Sequence, residues 1–307
     1  MSRKLPFGTP PSVAALPYTT GDYYFVHSVT GSNGNTGKKP EKPFATVQKA
    51  IDSCTASKHD VVVLMPGHVE TVTATNIAHN KAGVQVVGLG IGLSRPTFTY
   101  GAAAATITVS AANGSWKNCV FIANFADVAA AFTIGAAKDF HITDSHFKDT
   151  SAILNFLSIV VTGATANAAD GLKVQNNYFL GLATAPNAFV SVLGNLDHLQ
   201  LLDNYVDMAA TNDVGHFLTI AALVIRGARI FRNQLNVVGA TNAAVGIFIT
   251  GSSTTNTGMV MLNYVTSLDT TTALLITAAI NLAVHQNYLS GVVAGSGTLF
   301  PAADNPA

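Results

Sequence analysis

Two aspartates are the residues best placed to do chemistry. Asp144, in Thr143-Asp144-Ser145-His146, and Asp203, in Leu202-Asp203-Asn204-Tyr205, each sit directly before a recurring turn position, and the intervening repeat carries Asn176 there. If the repeats stack as strands, the two carboxylates lie two repeats apart, about 9 to 10 Å. That separation suits an inverting pair, in which one carboxyl protonates a leaving group while the other activates water. Aspartate beside a turn also has a plainer role, since it tolerates the turn backbone and bonds to it, and this reading weighs more heavily. His141, Asp144 and His146 are close in sequence, but only Asp144 and His146 share a strand face. A metal ion would need a further ligand from a neighbouring repeat, where the aligned residues are Cys119 and Tyr178. A polar surface strand is the simpler account, and His68-Val69-Glu70 reads the same way. The glycines of Gly88-Leu89-Gly90-Ile91-Gly92 are not spaced as a phosphate loop, and Pro96 forbids a helix directly after them. Close backbone packing at a corner explains them better. No cofactor and no metal are expected.

What must position these residues is a repeat. An asparagine followed, after any one residue, by an apolar residue recurs at Asn118, Asn177, Asn204, Asn233, Asn263 and Asn287, with a degenerate copy at Ser145. Backward steps of similar length reach Gly88 and Val63, making nine register points spaced 24 to 32 residues apart. A period in this range means a solenoid. The content of each repeat, β-branched runs such as Thr106-Ile107-Thr108-Val109 broken by Gly and Asn, excludes helical solenoids. The reading is therefore an all-β fold, a single-stranded right-handed parallel β-helix of about nine coils. Asparagine suits such a corner because it tolerates left-handed backbone and because stacked amides bond along the stack. The tyrosines that follow at 178, 205, 264 and 288 form a second row. Whether that row faces core or solvent stays open, since the turn resets strand parity.

The domain organisation follows. Residues 1–20, with Pro6, Pro10, Pro11 and Pro17, read as an extended anchoring arm. Residues 21–60 hold an entry strand (Asp22 to Val29), a Gly-rich loop and a capping α-helix from Phe44 to about Cys54, with Pro43 at its start. The β-helix covers residues 61–290 and a tail residues 291–307.

Composition narrows the function. Charged residues make up 10% of the 307-residue chain, against about 25% in ordinary soluble domains, and Glu41 and Glu70 are the only glutamates. The formal net charge is zero, which gives no electrostatic reason to bind nucleic acid or an anionic membrane. Met1-Ser2-Arg3-Lys4-Leu5-Pro6 is not followed by an apolar stretch, so a secretion signal is not expected. Asn113-Gly114-Ser115 is for that reason set aside as a glycosylation acceptor. Cys54 and Cys119 lie in apolar-periodic contexts and read as buried thiols.

Phe25 to Val29, the loop Gly31-Ser32-Asn33-Gly34-Asn35-Thr36-Gly37, and Lys42-Pro43-Phe44-Ala45-Thr46-Val47-Gln48-Lys49-Ala50-Ile51-Asp52 resemble the entry module of the pectate-lyase-like β-helix superfamily. With the asparagine row, the resemblance spans roughly residues 22 to 290. It implies the fold, and it leaves function open among lyases, hydrolases, adhesins and phage tail proteins. Polygalacturonase-type members carry NTD, DD, GHG and RIK motifs. Asn195-Leu196-Asp197, Val214-Gly215-His216-Phe217 and Arg229-Ile230-Phe231 are poor copies of them.

The expectation is a structural protein of a tailed-phage particle, not an enzyme: a capsid decoration protein or the body of a short spike, located in the virion. The resemblance implies a homotrimer, and Arg3 and Lys4 of the arm would dock on capsid or tail proteins. A carbohydrate-active enzyme using Asp144 and Asp203 is the alternative, and an adhesin binding host surface glycan is a third.

Overall fold

Short β-branched runs separated by tight corners leave the chain one way to bury its apolar side chains, which is to wind so that each run lies on the equivalent run of the preceding coil. The computed structural model describes residues 16–74, 77–183, 187–208, 215–221, 223–237, 247–250, 255–267, 274–276, 281–291 and 298–300. They form a parallel β-helix with three walls. Sheet A stacks ten strands, from Tyr23–Val26 through Val61–Leu64 and Ser115–Lys117 to Leu282–His285. Sheet B begins at Val69–Val72 and runs through His146–Asp149, Tyr178–Gly181 and Tyr205–Met208 to Asn287–Gly291. Its last member, Thr298–Phe300, pairs antiparallel with Asn287–Gly291. Sheet C has eight strands, from Ile77–His79 to Leu274–Ile276. Among the described residues, sheet C thus allows at most eight complete three-sided coils, against about nine expected.

Alternate residues of each wall point inward, and the interior is a column of rings. Phe98, Phe121 and Phe147 of sheet B stack at centroid separations of 5.5 and 4.9 Å, and Trp116 and Phe132 meet them edge-on from the other walls. Further along, Phe189 and Phe217 of sheet C continue the column at 5.4 Å. Each of these side chains is fully buried, worth about 1.5–3 kcal/mol apiece in transfer free energy. Cys54 and Cys119 are free and buried.

The N-terminal cap is shorter than the sequence predicts. Helix α1 spans Val47–Ser53, and Thr46 is its N-cap, with its hydroxyl accepting from Lys49 N at 3.4 Å. Phe44 belongs to the strand region instead, bridged to Val26 and stacked on Tyr24. A threonine able to satisfy a free helix N–H outweighs the proline three residues earlier. Of the arm, residues 1–15 lie outside the described residues, as does most of the tail.

The A-to-B corner is where the repeat is made. Asn177, Asn204, Asn233, Asn263 and Asn287 are buried at successive coils. Each of Asn204, Asn233, Asn263 and Asn287 uses Oδ1 to accept both the backbone N–H and the side-chain N–H of the asparagine one coil earlier, at 2.9–3.1 Å. The Nδ2 groups also donate to carbonyls of the preceding coil, as Asn204 does to Val174 O at 2.9 Å. At the N-terminal end, Asn177 Oδ1 receives Ser145 N at 3.0 Å and Ser145 Oγ receives Cys119 N at 3.2 Å.

The structure corrects two details of this corner. The left-handed residue is not the ladder asparagine but the one before it: Asp144 (φ 53°), Asn176 (54°), Asp203 (55°), Arg232 (52°), Leu262 (58°) and Gln286 (50°). Asn118 (φ 59°) belongs to this outer row. Its Nδ2 donates to Gly88 O and Gly90 O at 2.8 and 3.1 Å, while Cys119 occupies the ladder level. Strand pairing likewise aligns Val63 with Val87 and Leu64 with Gly88, so the first register points slip by one. Asparagine fits both adjacent positions, which is why the spacing alone merged them.

Candidate functional site

On either side of the A-to-B corner the wall is indented. One groove, about 360 Å3, is lined by Ile91, Arg95, Asp144, His146, Tyr178 and Tyr205, among others. A second, about 410 Å3, lies on the sheet A side of the same corner, and Asp144, Asn176 and Asp203 line both. The left-handed residues thus form a ridge between two shallow grooves. Asn118, Asp144, Asn176 and Asp203 are on four consecutive coils, so the ridge alongside the first groove is about 14 Å long.

The two candidate carboxylates do come to one site, but each is already occupied. Asp203 accepts Arg232 Nε at 2.6 Å and Arg232 Nη2 at 2.9 Å, and Gln175 Nε2 at 3.3 Å. The Arg232 guanidinium holds its carboxyl below the usual carboxylate range. Asp144 accepts Asn176 Nδ2 at 2.6 Å and faces Lys117 Nζ at 3.4 Å. General acid catalysis needs a carboxyl whose pKa is raised, and Asp203 is shifted the other way. Among the described residues one carboxyl is raised, to about 6 by burial: that of Asp149. Its oxygens are closed off by the backbone N–H groups of Phe156 at 2.9 Å and Leu182 at 2.8 Å.

The metal constellation does not assemble. His141 is on sheet A and His146 on sheet B, with the left-handed Asp144 between them. Cys119 points inward, its thiol pushed up to about 12 by burial. Among the described residues no group of three or more His, Cys, Asp or Glu is placed to hold a metal ion. His68 and Glu70 serve the cap: Glu70 Oε2 accepts Val47 N at 2.9 Å and lies 3.2 Å from His68 Nε2, tying α1 to the first coil. In the Gly88–Gly92 run, Gly88 is a packing device, since a β-carbon there would collide with the carbonyl oxygen of Asn118, while Gly92, with open space around it, supplies left-handed backbone.

What the corner does present is an aromatic row. Strand register places His146, Tyr178, Tyr205, Gln234, Tyr264 and Tyr288 at equivalent outward positions on successive coils of sheet B. Tyr178 stacks on Tyr205 at 5.3 Å with an interplanar angle of 22°, and His146 meets Tyr178 at 5.5 Å. Tyr264 and Tyr288 are each 45% exposed, which settles the facing of the tyrosine row. Arg95 is the groove residue that sequence reasoning missed. It lies in a loop outside the repeat, and its one visible signal is a lone arginine before a proline in a charge-poor chain.

No protein-family model matches this chain, and no curated protein matches it. Among solved structures, one described as a rhamnogalacturonan lyase aligns with it over 87% of each chain, at 16% identity and a TM-score of 0.40. A likeness of that size says nothing about chemistry or ligand.

Proposed function

We propose that this protein is a structural rod of a virus particle, of the capsid-decoration or short-spike type, that holds glycan on sheet B without cleaving it. The observation behind the non-cleaving part is that Asp144 and Asp203 face Lys117 and Arg232 while Tyr178 and Tyr205 beside them line the groove and stay partly exposed. Tyrosine offers a flat apolar face with a polar tip, and a row of such rings, interrupted at Gln234, suits a polymer whose own units repeat. The particle setting is favoured by the charge-poor walls, which cost little to desolvate in lateral contact. A trimer packed in this way, docked through residues 1–20, is the assembly this reading predicts.

The test uses immobilised capsular polysaccharide. The full chain should be retained without shortening the polymer, and Asp144→Asn with Asp203→Asn should not weaken retention, since it removes only negative charge from the groove. Tyr178→Ala with Tyr205→Ala should weaken retention roughly tenfold or more, as expected for losing two stacking contacts of about 0.5–1.5 kcal/mol each. Polymer shortening that disappears in the aspartate variant would make the protein an enzyme instead. For the particle setting, the full chain should cosediment with empty capsids and a chain lacking residues 1–20 should not. A chain that stays monomeric and ignores capsids overturns that part.

A further inference from the structure

Arg95 is 9% exposed, and its side chain lines the groove that also contains Tyr178 and Tyr205. One Nη2 hydrogen goes to the backbone carbonyl of Asp144. The buried Nε has no partner. Among the described residues no carboxylate is within ion-pair distance of this guanidinium, whereas Asp144 and Asp203 face their own cations, Lys117 and Arg232. Counting those two pairs as neutral, the groove is left with one uncompensated positive charge. A guanidinium removed from water without a counter-charge is costly, and folding has not supplied one. His146, the other basic group in the groove, is held below its usual pKa by burial and then by the Arg95 charge, so it adds no second cation at neutral pH.

We infer that this groove is an anion subsite, with Arg95 receiving the carboxylate of an acidic sugar whose neighbouring rings lie along Tyr178 and Tyr205. This rests on the glycan-binding reading above and narrows it from any glycan to an acidic one. The fit has three parts. With Nε buried and one Nη2 hydrogen on the Asp144 carbonyl, the end of the guanidinium, Nη1 and the second Nη2 hydrogen, is the fork that matches a carboxylate or sulfate ester. The aromatic row begins within the same groove. The loop Gly90–Arg95 adds an apolar lip at its N-terminal end, with Ile91 87% exposed. The ridge of about 14 Å is long enough for a few sugar rings.

The experiment titrates the full chain with three probes: a hyaluronan tetrasaccharide, the same tetrasaccharide with its carboxyls reduced to alcohols, and inorganic sulfate. Binding is followed by calorimetry and by the Arg95 Nε resonance in 15N spectra. The acidic tetrasaccharide should bind and move that resonance. The reduced form should bind roughly 10- to 100-fold more weakly, the usual worth of a hydrogen-bonded charge contact. Arg95→Gln should erase the difference between the two forms, while Arg95→Lys, which keeps the charge, should retain part of it. Equal binding of acidic and reduced forms, or an unchanged preference in a folded Arg95→Gln protein, overturns the inference while leaving glycan binding intact. If neither sugar binds but sulfate moves the Arg95 resonance, the anion subsite stands and the glycan reading falls. Silence from all three probes ends both.

Discussion

Asn204→Ala is expected to lower the stability of the rod by about 3 kcal/mol or more, because three polar groups around it lose their partners at once. Asn177 N and one Asn177 side-chain hydrogen lose the Oδ1 they share, and Val174 O loses its donor. The site is buried, so water does not replace what is lost without opening the corner. Asn204→Asp should be worse near neutral pH, since it turns the donor into an acceptor facing Val174 O and Asn233 Oδ1. Coils in a solenoid are coupled only to their neighbours, so both variants should also split the denaturant transition into separate steps on either side of the lesion. Asn176→Ala, in the outer left-handed row one coil earlier, should cost only about 1–2 kcal/mol, from the turn geometry and its exposed hydrogen bond to Asp144. Guanidinium unfolding of the four proteins checks the order. Equal losses at positions 176 and 204 would mean that the ladder adds nothing beyond turn geometry.

The second large effect is a compensation between two buried groups as pH falls. His79 is fully buried; Trp116 Nε1 donates to its Nδ1 at 3.2 Å, so the proton is assigned to Nε2, which has no partner and sits beside the edge-on ring of Phe140. Burial pushes its pKa down to about 4, against about 6.5 in the unfolded chain. The unfolded state therefore takes up the proton first, and stability drains as pH falls from about 6.5 to 4, by about 3 kcal/mol in all. Asp149 has the opposite sign. Burial raises it to about 6, the folded state protonates first, and stability rises by about 3 kcal/mol as pH falls from about 6 to 4. The native protein should thus show little net slope from this pair. Relative to it, His79→Gln, which keeps an acceptor for Trp116, should gain stability on acidification, and Asp149→Asn should lose it. Unfolding curves at a series of pH values between 4 and 7 decide the matter, and two variants parallel to the parent would refute the compensation.

How much of this was legible beforehand depended on whether one residue type served one role. The ladder from Asn177 to Asn287 could be read because a buried amide that both donates and accepts has few substitutes, so the same letter recurs. Asn118 was misplaced for the complementary reason: a left-handed corner favours asparagine too, one step earlier. The outward facing of the tyrosines was hidden by that same corner, whose single left-handed residue shifts the alternation. Asp144 and Asp203 were found as a pair, yet their counter-ions Lys117 and Arg232 come from coils on opposite sides of them, and only the stacking register brings each cation to its carboxylate. Arg95 showed in the sequence only as an arginine before a proline, because its significance is a missing partner in three dimensions.

The reversed strand Thr298–Phe300 has a consequence for what the rod can become. A parallel β-helix grows by laying each coil on an unpaired edge, and a bare final coil would template another molecule as readily as its own chain. Repeated head to tail, that contact would not close on itself and would propagate as an open fibre. Running antiparallel along Asn287–Gly291, the strand gives the last rung of sheet B a hydrogen-bonding pattern that an incoming parallel coil does not match. On that wall the reversed strand alters the edge that a further parallel coil would meet.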